Sequence, residues 1–360
     1  MLTIGVLVAG RCAVVEYVVI GAGPAGLQMG HFLHEAGREY VILEAGPSAG
    51  TFFREFPRHR VLATDDNSLF GMPFARYSKR AFPPADDLVR YLEDFARPLN
   101  VRYRTRVEGI RGNEVRHEHG TVVAERIVLA TGRAEPHLPR IEGIELAETY
   151  ASASTDPTVY AGQRVLIIGR GRSAFETADL VSSTAAVTHT VGRTLRRIAR
   201  HGNGFKATLD TGELYYDRVI ACTGFKRDTS LDVPHVHLAA GDSIKAIRHS
   251  TRALHRTLEA EHHGVPWPHR RLRNRPDALA ATIATRAREI PEGLADVVVP
   301  QGQHAILYDE MPTRGRNGFV VTRAQVEHYR HNELIAVERR LHRKPLERFF
   351  STQLAVPCIA

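Results

Sequence analysis

The chain has 360 residues, 43% of them apolar and 24% charged, with a formal charge of +8 carried almost wholly by arginine. Such a chain buries a large core over about two to three domains, which excludes a disordered tail. Its three cysteines, Cys12, Cys222 and Cys358, form no C-x-x-C pair and no even framework, so the sequence suits a reducing cytoplasm and neither a disulfide scaffold nor an internal dithiol relay.

The apolar lead-in at 2–10 has no basic residue before it and no clear cleavage site, and is read as an extra strand or a disordered start, not a signal peptide. The run Val14-Val15-Glu16-Tyr17-Val18-Val19-Ile20 then reads as a buried parallel strand, followed by Gly21-Ala22-Gly23-Pro24-Ala25-Gly26 and a helical pattern over 27–36. Strand, glycine turn and helix are the context a dinucleotide fingerprint needs. The first glycine makes the turn, the second lets a diphosphate approach the backbone, and the third lets helix and strand pack, with the diphosphate on the helix N-terminus. A second strand, 39–43, ends at Glu44-Ala45, and Glu44 lies 21 residues beyond Gly23. That spacing suits a carboxylate accepting from a ribose hydroxyl, and the acid disfavours a 2′-phosphate; the plainer reading is a solvated strand-end acid.

Residues 46–84, rich in Pro, Phe and Arg, read as an irregular excursion, and 86–97 as a helix with Leu88, Val89, Leu92, Phe95 and Ala96 on one face. Short alternating segments cover 101–126, and Ile127-Val128-Leu129-Ala130 runs into Thr131-Gly132. The scheme then repeats: Val165-Leu166-Ile167-Ile168, Gly169-Arg170-Gly171-Arg172-Ser173-Ala174, a helix over 173–180 and a strand over 187–191. A hairpin follows, turning at Asp210-Thr211-Gly212, then Val219-Ile220-Ala221-Cys222 into Thr223-Gly224. From first glycine to threonine-glycine pair the two copies differ, 111 residues against 55, so the second is cut close to its minimum. Where the first copy has Glu44, the second has Gly192-Arg193, with Arg196 and Arg197 next. A guanidinium there favours NADPH over NADH, because the 2′-phosphate needs a cation; the alternative is an ordinary basic turn.

The tail from Pro266 reads as mostly helical, with helices over 277–288 and 322–341. Basic clusters at 193–200, 269–275 and 339–348 lack a binding motif or interleaved aromatics, so no nucleic-acid partner is expected. No apolar run reaches the roughly 18 residues of a membrane span, so no membrane partner is expected either. His117-Glu118-His119 offers two imidazoles where a metal site needs three or four groups, and no metal is expected. Oligomeric state is not legible.

The order of fingerprint, Glu44, Leu129-Ala130-Thr131-Gly132, second fingerprint, arginine and Ala221-Cys222-Thr223-Gly224 resembles the class B flavin monooxygenases. Closer similarity is to the FAD-dependent oxidoreductase-domain family, relatives of the pyridine nucleotide-disulfide oxidoreductases. It is carried by Gly21 to Gln28, Phe56-Pro57-Arg58-His59-Arg60, the stretch 85–92, Ser173 to Ala178 and His262 to Pro268. The resemblance implies an α/β fold of two Rossmann-like dinucleotide-binding domains, the second inserted in the first, with a mostly helical C-terminal extension. The boundaries are 1–140 for the first part of the FAD domain, 141–230 for the NADPH domain, 231–265 for the second part of the FAD domain and 266–360 for the extension.

It further implies FAD and NADPH as cofactors, with FAD held by Gly21, Gly23, Pro24, Ala25, Gly26, Glu44, Ala45, Thr131 and Gly132. NADPH falls to Gly169, Gly171, Ser173, Ala174, Arg193 and Gly224. Asn67 matches an asparagine that contacts the flavin, or is a turn asparagine. Asp242, in Ala239-Ala240-Gly241-Asp242, matches an acid that binds the flavin side chain, or is a loop acid or helix cap. The expected activity is oxygenation of a small-molecule N, S or carbonyl centre. The alternatives are a flavin oxidase or NADPH oxidoreductase acting on thiols or another small acceptor, and a non-catalytic flavin-binding homologue. The monooxygenase signature F-x-G-x-x-x-H is missing before the second fingerprint, where Ile141-Glu142-Gly143 keeps only the glycine.

Overall fold

A computed structural model describes residues 14–64, 66–133, 135–291, 294–311 and 318–354. Cys12, Cys358, Asp65 and the lead-in at 2–10 lie outside the described residues. The chain divides into two compact units, the first holding 1–27, 41–68 and 72–236, the second 28–40, 69–71 and 237–360.

Each half of the first unit starts from an apolar strand buried on both faces. Strand β1 (Val14–Ile20) leads through the glycine turn into α1 (Pro24–Glu35), then β2 (Tyr40–Leu43). Pro24 suits the first helical position, where its missing N–H costs nothing. Among its described residues the excursion holds the short α2 (Phe52–Glu55) and a 3-10 turn at Phe74–Arg76 before α3 (Ala85–Ala96). In α3, Leu88, Val89, Tyr91, Leu92 and Phe95 are buried, and Asp86 and Asp87 in the first turn complement the helix dipole. Then come β3 (Val101–Arg102), β4 (Val107–Arg111), β5 (Glu114–His117) and β6 (Gly120–Leu129), giving the strand order β3-β2-β1-β6-β5-β4. The β1–β6 pair is parallel, with Val19 opposite Val128.

The second copy begins after β7 (Glu135–Pro136) and β8 (Glu148–Thr149). Strand β9 (Arg164–Ile168), helix α4 (Arg172–Ser182) and β10 (Val187–Val191) repeat the unit. A three-stranded antiparallel meander follows, β11 (Leu195–His201), β12 (Gly204–Leu209) and β13 (Gly212–Tyr216), before β14 (Arg218–Ala221) and β15 (Phe225–Lys226). The parallel sheet has the order β10-β9-β14-β8. Period-two alternation along β9 sends Leu166 and Ile168 into the core shared with the meander, and Val165 and Ile167 into the core under α4.

The chain passes into the second unit at His237, within a short strand, β16 (Val236–Leu238). Helix α5 (Ile244–His262) is capped by Ser243, whose hydroxyl accepts from Ala246 N at 3.1 Å. Beyond it lie β17 (His269–Arg273), α6 (Pro276–Arg286), β18 (Ala295–Gln301), β19 (His304–Met311), β20 (Gly318–Val321), β21 (Val326–Arg330), β22 (Glu333–Glu338) and α7 (Arg343–Leu354). The expected helix over 277–288 is present as α6. The one over 322–341 is not: that stretch forms the β21–β22 hairpin, and the extension is built on a six-stranded antiparallel sheet with helices packed against it. Its turn residues, His331 and Asn332, both have positive φ, 49° and 67°, the backbone a tight two-residue hairpin needs.

Candidate functional site

The two glycine turns are built alike. At the end of β1, Gly21 N donates to Leu43 O at 2.8 Å and Ala130 N donates to Ile20 O at 2.8 Å. At the end of β9, Gly169 N donates to Val191 O at 2.8 Å and Cys222 N to Ile168 O at 2.7 Å. These bonds hold the strand ends so tightly that a side chain cannot enter. A Cβ on Gly21 would lie 2.6 Å from Ala130 O, and one on Gly169 would lie 2.3 Å from Cys222 O. At Gly26 a Cβ would fall 1.8 Å from Gly21 O, whereas Ala174 fits, fully buried, at the matching place in the second turn. Packing within the chain therefore explains Gly21, Gly26 and Gly169.

It does not explain Gly23 or Gly171. A Cβ at either would meet nothing within 4 Å, and each immediately precedes a helix N-terminus whose first N–H groups have no partner in their own helix. Open space before those N–H groups is what a diphosphate requires. Pro24 and Ala25 open α1; Arg172 and Ser173 open α4.

Beside the first turn, the Glu44 carboxylate accepts from Ala22 N at 2.6 Å and from Gly46 N at 2.7 Å, which fixes both oxygens at the tip of β2. Ala45 sits between those anchors. A carboxylate has about four acceptor positions, so two backbone donors leave capacity for ribose hydroxyls. Thr131 Oγ1 is buried and has no hydrogen-bond partner among the described residues, and Gly132 turns the chain with φ 69°. An orphaned hydroxyl beside an open glycine cradle fits an adenine dinucleotide such as FAD.

In the second copy, Gly224 has φ 84° and its carbonyl accepts from His137 N at 2.9 Å. Arg196 is paired with Asp210 and Arg197 with Glu142, whereas Arg193 is exposed and has no partner among the described residues. Of the three arginines after β10, that leaves Arg193 for an anion. Cys222 is buried, its Sγ lies 3.5 Å from Thr177 Oγ1, and burial pushes its thiol up to about 11. It is not a thiolate at neutral pH.

Asn67 is 4% exposed and its amide donates to Thr64 O, so it closes a turn of the excursion. Asp242 lies in the second unit, in the turn before Ser243. There a Cβ on Gly241 would come within 2.7 Å of Ile247 N, which brings this turn hard against the start of α5. His117 is buried, which lowers its pKa, and its Nδ1 accepts from His119 N. Among the described residues no group of three His, Cys, Asp or Glu side chains could hold a metal. Nor is any described helix long and apolar enough to cross a membrane.

Two features escape a linear reading. One is a pocket of about 240 Å³ lined by Phe52, Phe56, Tyr150 and Phe225 together with Arg172 and Ser173 of α4. Phe56 and Phe225 rings are 4.8 Å apart and T-shaped, and the Tyr150 hydroxyl accepts from Arg58 N at 2.7 Å. The aromatic pair Phe52-Phe53 was the available signal, but Tyr150 and Phe225 join it only through the fold. The other is Arg170, inside the second fingerprint, whose side chain lies against Gly192.

Paired glycine cradles on parallel strands, each opening a helix, define a Rossmann-type protein with two dinucleotide sites. Residues 18–197, half of the chain, match the family described as pyridine nucleotide-disulphide oxidoreductase, and the chain belongs to it. It is similar to FAD-dependent oxidoreductase domain-containing protein 2 of Mus musculus, 29% identical over 391 residues, covering 70% of this chain and 59% of that one. The Danio rerio protein of that name is 36% identical over 206 residues, covering 48% of this chain and 30% of its own length. Among solved structures, a flavin-containing monooxygenase from Stenotrophomonas maltophilia aligns with TM-score 0.58 at 23% identity, over 69% of this chain and 99% of that one. A bacillithiol disulfide reductase from Staphylococcus aureus aligns with TM-score 0.59 at 16% identity, over the same shares. Both likenesses concern the fold.

Proposed function

We propose that the protein is an FAD-dependent oxidoreductase that takes hydride from NADPH and oxidises a small molecule, most directly by oxygenating an N, S or carbonyl centre. The observation that carries this reading is the pair of open cradles at Gly23 and Gly171, where the chain itself gives no reason for glycine. FAD, when bound, supplies two-electron transfer and, once reduced, reaction with dioxygen. This chain's residues would do the binding and placing. The Gly23 to Gly26 turn and the α1 N-terminus take the diphosphate, Glu44 accepts from the adenosine ribose, and Thr131 and Gly132 line the same cradle. Asn67 is the candidate flavin contact from the excursion.

Gly169, Gly171, Ser173, Ala174 and Gly224 form the second cradle, and Arg193 supplies the cation that a 2′-phosphate needs. The aromatic walls of the Phe52, Phe56, Tyr150 and Phe225 pocket suit an apolar substrate portion. Because the Cys222 thiol is buried and neutral, the reading needs no protein thiol.

The test is anaerobic titration of the FAD-loaded protein with NADPH, followed by admission of oxygen with and without candidate amines, thioethers and ketones. Loss of the flavin absorption band on NADPH addition, then oxygenated product, is the expected course. A band that NADPH cannot bleach would overturn hydride delivery, and bleaching followed only by peroxide release would overturn oxygenation.

A further inference from the structure

The duplication lets each position in the second cradle be compared with its twin in the first, and one pair is inverted. Gly21 N to Leu43 O and Gly169 N to Val191 O are the same bond in the two copies, so the residue after β2, Glu44, corresponds to the residue after β10, Gly192. By the same bonds, Ala22 corresponds to Arg170. In the first copy a small residue at 22 faces an acid at 44, and Ala22 N donates to that carboxylate. In the second copy the acid has become glycine and the small residue has become arginine. The Arg170 stem runs over Gly192: a Cβ built there would fall 2.5 Å from Cδ, 2.8 Å from Cγ and 3.1 Å from Nε of Arg170. Charge at the ribose corner is thus reversed by two coupled changes, one supplying the guanidinium and the other clearing the surface it lies on.

Arg170 is exposed and, like Arg193, has no hydrogen-bond or ion-pair partner among the described residues. Its neighbours on the same surface are engaged: Arg172 pairs with Glu176 and lies over the Phe82 ring, Arg196 pairs with Asp210, and Arg197 with Glu142. An unpaired arginine whose stem is seated on a glycine, beside a second unpaired arginine, is a preorganised receptor for a doubly charged phosphate.

The geometry points to Arg170, seated on Gly192 and working with Arg193, as the residue that selects the 2′-phosphorylated dinucleotide. This rests on the reading of the second cradle as a dinucleotide site and adds a specificity-determining residue within the fingerprint itself. Glycine at 192 then has a function of its own. Its backbone is in a region open to any L residue, so Gly192→Ala would fold, but the added methyl would push the Arg170 stem aside.

Calorimetric titration of the FAD-loaded protein, with excess FAD keeping the first cradle filled, reads this directly. The probes are 2′,5′-ADP and 5′-AMP, which differ only in the 2′-phosphate. The wild-type protein is expected to bind 2′,5′-ADP more tightly. Arg170→Met lowers affinity for 2′,5′-ADP by about 10- to 100-fold, the size of a charged hydrogen bond to phosphate, and leaves that for 5′-AMP within about twofold. Gly192→Ala moves 2′,5′-ADP in the same direction by less, and Arg170→Lys restores part of the loss.

Equal binding of the two probes by the wild type would overturn the selection while leaving the dinucleotide site intact. No binding of either would overturn the site and the selection together. Discrimination unchanged in Arg170→Met would assign it to Arg193 and overturn the role of Arg170. Equal loss for both probes would make Arg170 a support for the adenosine and overturn it as well. Unchanged thermal unfolding of each variant confirms that the fold is not what moved.

Discussion

Gly23→Ala and Gly26→Ala place the same methyl three residues apart in one turn, with opposite expected consequences. At Gly26 the new Cβ would sit 1.8 Å from Gly21 O, a backbone atom held by strand pairing, so the turn itself must open. Overpacking usually costs about 1–3 kcal/mol, and a clash with backbone belongs at or above the upper end. At Gly23 the methyl meets nothing within 4 Å and the backbone is ordinary, so the FAD-free protein should lose no more than about 0.5 kcal/mol.

What Gly23→Ala should lose is the ligand. The methyl would stand in the space before the α1 N-terminus, and losing two charge-assisted N–H bonds to a diphosphate costs at least about 3 kcal/mol, or roughly 100-fold in Kd. Urea unfolding of the FAD-free proteins and fluorescence titration with FAD separate the two effects. Gly23→Ala protein that binds FAD within threefold of the wild type would refute the view that an approaching ligand, not packing, demands that glycine.

The remaining predictions concern buried charge and the thiol. Glu310 is 8% exposed and both its oxygens lie 2.6 Å from Arg252 Nη2, with His249 Nδ1 at 3.4 Å and Arg256 Nη1 at 3.6 Å. Burial alone would raise its pKa, but the His249 hydrogen bond and the Arg252 charge overcome it and hold the carboxyl at about 2. Glu310→Gln should cost about 2–3 kcal/mol in chemical unfolding, below the full value for a broken buried pair because both arginines are partly solvated. A cost under about 0.5 kcal/mol would show the cluster to be neutral.

Because the folded pKa is depressed, the contribution of Glu310 is present above the usual carboxylate pKa of 4.5 and disappears as pH falls toward about 2. The wild type should therefore lose more stability than Glu310→Gln across that window. His255, which burial lowers to about 4, acts at higher pH: the unfolded chain takes up its proton first, so stability should fall as pH drops from 6.5 to 4. His255→Phe should flatten that part of the profile, and an unchanged slope would remove His255 from the account. Cys222→Ala should leave NADPH-driven turnover intact; loss of turnover with FAD retained would restore a thiol to the mechanism.

The cradle glycines, Glu44 and the strands beneath them were legible because each is fixed by short-range geometry: strand, tight turn and helix follow one another in the chain. The helix over 86–97 was legible for the same reason, its apolar face recurring at helical spacing and observed as α3. The hairpin over 322–341 was not, because its turn is His331-Asn332 where a glycine would have announced it, and its strands carry many charges. Asp296, 1% exposed within β18, pairs with Arg286 and accepts from Glu310 N, a buried partner set that no linear pattern announces. The aromatic pocket was hidden because its walls come from 52–63, Tyr150, α4 and Phe225. Arg170 was hidden differently: it lies inside a motif in plain view, but its partner Gly192 is on the neighbouring strand end.

Quantifying the flavin carried by the chain tests the central claim most directly: protein reconstituted with FAD, freed of excess by gel filtration, then denatured so that the released nucleotide can be identified and counted. The account predicts one FAD per chain, falling sharply in Gly23→Ala while Glu44→Gln loses a smaller part. Wild-type protein that emerges colourless, or that retains FAD equally well with a methyl at position 23, would contradict it.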